Sequence, residues 1–384
     1  MSVFDLLIDQ EHVISILRDA VQASAVGDDK SQEMTHAWLF TGPPGSGRSN
    51  AALAFATALV CYEGGCGECS SCKTARYGSH PDVELIRTEG LSIKIDEVRE
   101  IIMRASWEPT LSAYRVIVME DADRLTESAA NALLKAIEEP GMRTVWLLCA
   151  PTLADVLPTI RSRCRHISLQ TPSNSAVAQL LISRDGIAPD LARQVARLSQ
   201  GHIGRAKWLA TNPEAVTRRL EAVRLALGLR DVGGAMAGAA TLVEWATEQA
   251  QAQALGRDER EEADLSAALG VGGTGRGAPS GSAKALKELE KEQKSRTTRA
   301  TRDCLDMALL DIATAYRDII TLQLNSESEL INEDLRNEIS ALAQSSKPES
   351  MVKRWEAVMA TRRTLNFNVA PLLAIEALLL NVKF

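Results

Sequence analysis

Short apolar segments alternate with amphipathic helical segments through the first part of the chain. The apolar segments are rich in Val, Leu, Ile and Phe and have the length of buried strands; they lie at 37–40, 83–86, 115–119 and 144–149. The segments with helical spacing lie at 49–60, 93–104 and 126–139. This alternation predicts an α/β domain in which helices cover both faces of a parallel sheet.

Helical patterns alone continue from about residue 172 to the end. Three are short and predict a small bundle; they lie at 176–183, 188–199 and 203–210. Two are longer and predict an all-α C-terminal domain; they lie at 214–255 and 301–384. The domains that we expect are 1–171, 172–213 and 214–384.

A glycine- and serine-rich stretch divides the two long helical segments. Residues 270–283 read GVGGTGRGAPSGSA, a composition that cannot bury a core. Charged residues of both signs alternate over 284–299, as on a solvated helix. We therefore interpret residues 257–298 as a flexible insertion in the C-terminal domain, in the form of a mobile surface loop.

The composition is that of a globular protein without a membrane segment. Of the 384 residues, 45% are hydrophobic and 24% are charged. The N-terminus lacks the basic start and apolar run of a signal peptide, and the apolar stretch at 369–382 contains Glu376 and is too short to span a bilayer. We expect a cytoplasmic protein. The net charge of −7 argues against strong nucleic-acid binding by this chain alone, because phosphate contacts need a cationic surface.

A glycine-rich loop joins the first predicted strand to a helix, as in P-loop proteins. Residues 41–49, TGPPGSGRS, fit the pattern G-x-x-x-x-G-K-[ST] except that Arg48 replaces the lysine. Such a loop directs backbone N–H groups at phosphate, and a hydroxyl like that of Ser49 coordinates Mg²⁺. The predicted nucleotide-binding residues of the loop are Gly42, Gly45, Ser46, Gly47, Arg48, Ser49 and Asn50. A glycine turn without a ligand is the alternative.

Two acidic residues follow the third predicted strand. In P-loop ATPases this position usually carries an Asp that holds Mg²⁺ and then a Glu that polarises water. Here the order is reversed, with Glu120 before Asp121. Each side chain therefore differs in reach by one methylene, and phosphoryl transfer depends on positioning. We predict that both residues belong to the nucleotide site but that hydrolysis is inefficient; a solvated strand end is the alternative.

Four cysteines lie within a dozen residues with the spacing C-x4-C-x2-C-x2-C; they are Cys61, Cys66, Cys69 and Cys72. In a reducing compartment this clustering favours a metal over disulfides. Four thiolates complete a tetrahedral Zn²⁺ site and leave no position for water, which favours a structural role over a catalytic one. Free thiols without a metal are the alternative.

Longer stretches of the sequence resemble clamp-loader subunits of the AAA+ superfamily. The resemblance covers nearly the whole chain apart from 257–298. The stretches that carry it are THAWLFTGPPGSGRSNAALAFA (35–56), GSHPDVELI (78–86), SIKIDEVREI (92–101), VIVMEDADRLTESAANALLKAIEEP (116–140), LPTIRSRCRHI (157–167) and NFNVAPLLAIEALLL (366–380). The four-cysteine segment follows the first of these stretches.

The resemblance implies a RecA-like P-loop domain with an inserted zinc module at 61–72, a three-helix lid and a helical collar for oligomerisation. It also implies assembly with clamp-loader subunits of the gamma/tau and delta types in an open ring of five. In such a ring, ATP and Mg²⁺ bound at subunit interfaces drive the placement of a sliding clamp on primed DNA.

The resemblance also assigns roles to two arginines. Arg163, in Ser162-Arg163-Cys164, matches the SRC motif whose arginine reaches the ATP site of the neighbouring subunit as an arginine finger. Arg205 matches the sensor-2 position, which touches phosphate in the same subunit. From spacing alone, a surface arginine is the alternative for both. Ala150 is a further departure, since motor subunits carry a threonine near this position that senses the γ-phosphate.

These departures lead to a functional hypothesis. Arg48, the Glu120-Asp121 order and Ala150 predict that the chain's own ATP hydrolysis is weak or absent, while Arg163 acts in trans on a neighbour's ATP. One alternative is an ATP-hydrolysing motor subunit of gamma/tau type or a related AAA+ ATPase; another is a zinc-stabilised interaction protein that binds no nucleotide. Because the sequence offers no acidic constellation beyond 120–123 for two catalytic metals, any polymerase activity would belong to the holoenzyme.

Overall fold

The chain forms two compact units. The first comprises Met1–Thr88 and Ser92–Thr211, and the second comprises Glu89–Leu91 and Asn212–Phe384. The residues that the computed structural model describes are 2–26, 33–88, 90–141, 143–268, 282–365, 367 and 369–383.

A five-stranded parallel sheet forms the centre of the first unit. Its strands are β1 (Ala37–Thr41), β2 (Val83–Ile86), β3 (Arg115–Met119), β4 (Thr144–Ala150) and β5 (Arg165–Ser168). They lie in the order β2-β3-β4-β1-β5, and every pair is parallel. All residues of β1, β3 and β4 are buried, which explains their continuous apolar sequences. The predicted α/β class with a parallel sheet is confirmed.

Helices pack on both faces of this sheet. They are α1 (Glu11–Val26), α2 (Arg48–Leu59), α3 (Ser70–Arg76), α4 (Ile95–Ala105), α5 (Glu127–Glu138) and α6 (Pro158–Arg161). One apolar core joins α1 and α2 to one face of the sheet through residues such as Trp38 and Phe55. The other core joins α4 and α5 to the opposite face through residues such as Leu133 and Trp146. Because strands and helices alternate along the sequence, helices cover both faces of the sheet.

Three further helices complete the first unit and are called the three-helix segment below. They are α7 (Asn174–Asp185), α8 (Pro189–Ser199) and α9 (Ile203–Thr211). The hydroxyl of Ser173 caps α7, and Asp9 in turn accepts hydrogen bonds from the Ser173 N–H and hydroxyl at 2.8 and 2.7 Å. The N-terminal residues therefore fix the start of the segment. The predicted boundary between domains at 171 and 172 stays a prediction.

Helices alone make up the second unit within the described residues, as the sequence predicted. They are α10 (Pro213–Gly228), α11 (Val232–Ala268), α12 (Ser282–Gln323), α13 (Arg336–Ser345), α14 (Pro348–Leu365) and α15 (Pro371–Val382). The helical segment predicted at 214–255 is divided between two helices, because the backbone of Leu229 is extended and Asp231 accepts a hydrogen bond from the Gly234 N–H in the first turn of α11. In the described part of the chain, no helix is both long and apolar enough to cross a lipid bilayer.

The mobile loop predicted over 257–298 is wrong where the structure describes helices, whereas the helix expected at 284–299 is confirmed. Residues 257–268 continue α11 and residues 282–298 begin α12; residues 269–281 lie outside the described residues. Arg296 joins the two helices by ion pairs to Asp258 at 3.0 Å and to Glu261 at 2.5 Å, and Gln293 donates to the Asp258 carbonyl. Polar side chains therefore join the two helices in this region. Such contacts produce no periodic pattern of apolar residues from which the helix pair could be predicted.

Candidate functional sites

The carboxyl ends of three strands bring predicted nucleotide-binding residues to one edge of the sheet. Gly42 follows β1, Glu120 follows β3, and Ala150 ends β4, the strand between them. The Gly42 N–H donates to the carbonyl of Pro151 at 3.2 Å, so the glycine-rich loop begins beside the end of β4. This edge is the side of an open parallel sheet at which α/β proteins bind ligands.

The glycine-rich loop at 42–49, called the phosphate loop below, has the backbone that phosphate binding needs. Gly45 and Gly47 have φ angles of 88° and 85°, a left-handed region that favours glycine. Gly47 is also the N-cap of α2, so the loop leads into a helix N-terminus, where N–H groups attract anions. The Ser46 hydroxyl is buried and has no hydrogen-bond partner. The backbone motif is therefore present although its lysine is missing.

Arg48 turns back onto the loop that carries it. Its Nη1 donates a hydrogen bond to the Gly42 carbonyl at 2.8 Å. Its backbone carbonyl accepts from the Sγ of Cys149 on β4 at 3.9 Å, and burial raises the pKa of that thiol, which stays protonated. The guanidinium thus closes the loop from inside, whereas a P-loop lysine reaches the β- and γ-phosphates. Ser49 is half-buried and Asn50 is exposed beside it.

Each of the two acidic residues that follow β3, Glu120 and Asp121, lies beside a nearby arginine side chain. Nε of Arg87 lies 3.2 Å from Oε1 of Glu120, and Nε of Arg124 lies 3.9 Å from Oδ1 of Asp121. Burial, followed by the charge of Asp121, raises the pKa of Asp123. Both predicted residues reach the expected edge of the sheet, but arginines already neutralise them in part.

The three-helix segment meets the phosphate loop at His202, a residue that the sequence analysis missed. A Cβ added to Gly45 would lie only 2.6 Å from Cα, Cβ and Cγ of His202. Arg205 is buried, so the alternative of a surface arginine is wrong at this position. The backbone N–H of Arg205 donates a hydrogen bond to Nδ1 of His202 at 3.2 Å. Burial, then the charges of Arg205 and Arg48, lower the pKa of His202. The only available signal was its place two residues before Gly204-Arg205.

Arg163 lies on the surface between α6 and β5. Its side chain is 40% exposed and forms an ion pair with Glu138 at the end of α5, with both Nε and Nη2 2.5 Å from Oε1. Nη1 donates to the carbonyl of Thr159 at 2.8 Å. The guanidinium is therefore held at the surface by an exposed partner.

The four cysteine thiols converge on one point. All four sulfurs lie within 4.8 Å of one another. The recorded separations are 3.8 Å for Cys61–Cys66, 3.7 Å for Cys61–Cys69 and 4.0 Å for Cys66–Cys72. Four sulfurs at about 2.3 Å from a central Zn²⁺ lie about 3.8 Å apart in a regular tetrahedron. The cluster therefore has the size of a tetrahedral zinc–thiolate site.

The backbone around the cysteines supports thiolates. N–H groups donate to sulfur at 3.3 Å from Gly67 to Cys72, at 3.4 Å from Cys69 to Cys66, and at 3.4 Å from Cys72 to Cys69. Burial alone would raise the pKa of Cys61, but backbone hydrogen bonds lower it to about 7. The pKa of Cys69 is raised, and burial raises that of Cys72 well above its ordinary value. Ligation requires deprotonated thiols, so Cys61 is the first of these ligands to become available, and the N–H donors stabilise the others once a cation is bound.

The N-terminus covers the cysteine loop. The Val3 N–H donates to the Gly65 carbonyl at 3.0 Å, and a Cβ on Gly65 would lie 2.7 Å from a methyl group of Val3. Cys61 and Cys72 are buried in the same apolar core as Val3 and Phe4. Hence the candidate metal site is continuous with the core beneath α2.

Two family models match this chain. The model of "DNA polymerase III, delta subunit" covers residues 19–173, and that of "DNA polymerase III, delta subunit, C terminal" covers residues 301–383. Over these two segments the chain is similar to the DNA polymerase III delta subunit family. DNA polymerase III subunit delta' of Bacillus subtilis (strain 168) is 27% identical over 363 residues, which are 94% of this chain and 92% of that protein.

Shorter matches reach other polymerase III subunits. Subunit delta' of Pseudomonas aeruginosa is 36% identical over 152 residues, 38% of this chain and 46% of that protein. Subunit gamma/tau of Mycobacterium tuberculosis (strain ATCC 25618 / H37Rv) is 33% identical over 168 residues, 42% of this chain and 28% of that protein. These two matches span less than half of each relative. The delta' match along nearly the whole chain confirms the resemblance to clamp-loader subunits, and among them to the delta' type.

Proposed function

We propose that this delta'-type clamp-loader subunit supplies Arg163 in trans to the ATP site of a neighbouring subunit and hydrolyses ATP weakly or not at all by itself. The observation that carries the proposal is the contrast between two arginines. Arg48, at the chain's own phosphate loop, bonds the Gly42 carbonyl, while Arg163 is exposed at the surface.

The rest of the chain's own site supports this division. Glu120 and Asp121 stand in the reversed order and lie beside Arg87 and Arg124, and Ala150 offers no hydroxyl to a γ-phosphate. Phosphoryl transfer depends on the placement of such groups, so several departures together should remove turnover.

The surroundings of Arg163 suit a group that acts on another chain. Its partner Glu138 is 45% exposed, and an exposed ion pair of this kind contributes only about 0–1 kcal/mol. Release of the guanidinium toward a neighbour breaks this ion pair and the hydrogen bond to the Thr159 carbonyl, both at the exposed surface, where water can replace them. Once there, its charge offsets the charge that develops on the transferred phosphoryl group.

The deciding experiment is a reconstituted clamp loader that contains Arg163→Ala. The ATP site that this subunit serves should lose roughly 1,000-fold in hydrolysis rate, because a trans arginine contributes that much in related phosphoryl transfers. Arg161→Ala is the matched control, since Arg161 belongs to the same basic run and its Nη1 donates to the Leu153 carbonyl. ATPase and clamp loading that are unchanged by Arg163→Ala would overturn the proposal.

The same proposal includes the assembly and its fold. The first unit acts as a RecA-like AAA+ domain with the three-helix segment as its lid, and the helices of the second unit act as the collar. Through the collar the chain joins gamma/tau and delta subunits in a ring of five, which loads the sliding clamp on primed DNA in the cytoplasm. The names of the relatives, which are delta' and gamma/tau subunits of DNA polymerase III, support these partners.

The four cysteines are proposed to hold one structural Zn²⁺. The sulfur separations near 3.8 Å and the N–H donors to sulfur support this ligand set. Modification of the thiols should release about one Zn²⁺ per chain, measured with a chromogenic chelator. A folded preparation that contains no metal would contradict this assignment.

A motor subunit of gamma/tau type is the second candidate. The intact glycine backbone of the phosphate loop, with Gly45 and Gly47 in left-handed conformations, favours it. Under this alternative the isolated chain would release phosphate from ATP at a measurable rate that Ser49→Ala abolishes. No turnover above background, with or without Ser49→Ala, supports the first proposal instead.

A further inference from the structure

The contact between His202 and the phosphate loop has a consequence for nucleotide access. We propose that His202 is a gate residue that holds the three-helix segment against Gly45, so that the phosphate loop keeps its affinity for a nucleoside triphosphate but is closed to it in most molecules. The site is thus gated rather than destroyed. This inference rests on the proposed function in one respect, the lack of turnover at the chain's own site.

The contact is tight at Gly45 itself. A methyl group at Gly45 would overlap Cα, Cβ and Cγ of His202 at 2.6 Å each. The turn that delivers His202 is equally tight, because Gly201 has a φ of 82° and a Cβ there would lie 2.5 Å from the Pro172 carbonyl oxygen. His202 directly precedes α9, and its carbonyl accepts a hydrogen bond from the Ala206 N–H at 2.9 Å. The turn before His202 and the helix after it therefore restrain its backbone.

The closed loop still has the chemistry of an anion site. The Ser46 hydroxyl and Nε of Arg48 are buried without a hydrogen-bond partner, which leaves polar atoms available to a phosphate. Arg48 and Arg205 both lie close enough to His202 to lower its pKa, after the larger effect of burial. Two arginine charges and the N–H groups of a helix N-terminus attract phosphate once the gate opens.

The neutral imidazole suits the closed state. A protonated His202 would be repelled by the guanidinium charges of Arg205 and Arg48. The neutral ring instead accepts a hydrogen bond from the backbone N–H of Arg205 at 3.2 Å. At the other end of the segment, Asp9 holds Ser173, and Gln10 exchanges hydrogen bonds with the backbone of Gln170. Opening therefore requires the segment to swing away from the loop about a restrained start.

Gating of this kind weakens apparent affinity in proportion to the open fraction. If one molecule in ten to one in a hundred is open, the apparent affinity falls by about 10- to 100-fold relative to an open site. The isolated chain should therefore bind nucleoside triphosphate weakly, and removal of the imidazole should strengthen binding by that factor.

The test measures equilibrium binding of a fluorescent ATP analogue to the full chain. His202→Ala should bind at least about tenfold more tightly than the unaltered chain. His12→Ala, which removes an exposed imidazole on α1, is the matched control and should bind like the unaltered chain. Adding Ser49→Ala to His202→Ala should abolish the gain, which assigns it to the phosphate loop. Hydrogen exchange should show faster exchange over 172–211 in His202→Ala while the sheet stays protected, which establishes that the variant is folded.

Three outcomes would overturn the gate. They are equal binding by the unaltered chain and His202→Ala, no binding by a folded His202→Ala, and a gain that survives Ser49→Ala. None of them bears on Arg163, which is tested in the assembled loader by ATPase. The two proposals can therefore fail separately. If Arg163→Ala leaves the ATPase of the loader unchanged while His202→Ala strengthens nucleotide binding, the proposed function fails and the gate stands. If Arg163→Ala lowers the ATPase while His202→Ala leaves binding unchanged, the gate alone fails.

Discussion

One helix, α2, has a candidate site at each end, and the two sites are built from different atoms of the chain. The phosphate loop ends where α2 begins at Arg48, and the cysteine loop starts with Cys61, two residues after α2 ends at Leu59. At the second site every position of the ligand pattern is filled. At the first, the key cation has changed and bonds its own loop.

The difference lies in which atoms build each shape. Glycine backbone and the start of a helix form the phosphate loop, so its conformation can persist after its catalytic side chains change. Side-chain sulfur forms the cysteine site, so the loss of one ligand should remove the shape along with the metal. Substitutions at the two ends of α2 should therefore have unequal effects on stability.

The largest effect is expected at the cysteine end. Cys72→Ser should lower the melting temperature of the first unit by about 10 °C or more, because the metal's binding free energy contributes to folding and 1 kcal/mol corresponds to about 2–4 °C in a domain of this size. Calorimetry with parallel zinc analysis measures both consequences. Cys304→Ser, in the second unit, serves as the control. A Cys72→Ser chain that melts like the unaltered one would remove the basis of the comparison.

A smaller loss is expected for Gly45→Ala. The left-handed conformation disfavours alanine, and the new methyl group must displace His202, so unfolding free energy should fall by about 1–3 kcal/mol. Gly78→Ala isolates the conformational part, since Gly78 has a φ of 71° with nothing within 4 Å of the added carbon. Urea unfolding followed by circular dichroism gives both values. Equal losses for the two variants would show that His202 can move aside at no cost.

Arg48→Lys should change little. It keeps the charge but loses the hydrogen bond from Nη1 to the Gly42 carbonyl, so the free energy of unfolding should change by less than about 1 kcal/mol. Because Glu120, Asp121 and Ala150 are unaltered, the isolated chain should still release no phosphate above background. Restored turnover would mean that Arg48 alone had disabled the site.

The smallest effect concerns pH. The folded-state pKa of His202 lies below its ordinary value, first through burial and then through Arg205 and Arg48. The unfolded chain therefore binds the proton more readily, and the stability that neutral His202 confers is complete above about pH 6.5 and declines as the pH falls toward the lower folded value. His202→Gln should flatten this decline in urea titrations. The pKa values of His80 and His166 are also lowered, so part of the slope should remain.

Several elements of the first unit could be predicted from their apolar patterns and capping residues. Strands β2 and β3 have the predicted limits, and Thr126 caps α5 where the pattern placed the helix start. Strand β5 was missed because its sequence, Arg-His-Ile-Ser, has one apolar residue and lies at the edge of the sheet, where side chains remain partly exposed.

Site positions followed from the motifs, but contacts did not. The order of strands places Gly42, Glu120 and Ala150 at one edge, as the motifs require. The bond from Arg48 to Gly42 depends on the side-chain conformation of Arg48, and the approach of His202 depends on how the three-helix segment packs. The sequence holds no pattern for either contact. The cysteine cluster was predictable because all four ligands lie in one short segment.

The polar layer between α11 and α12 makes the second unit open to engineering. Arg296, Gln293, Asp258 and Glu261 bond only in one alignment of the two helices, so they fix the register of the hairpin from within. The alignment is therefore independent of the length of the sequence between α11 and α12. A reporter peptide grafted between residues 268 and 282 should leave the register intact and give a handle for labelling.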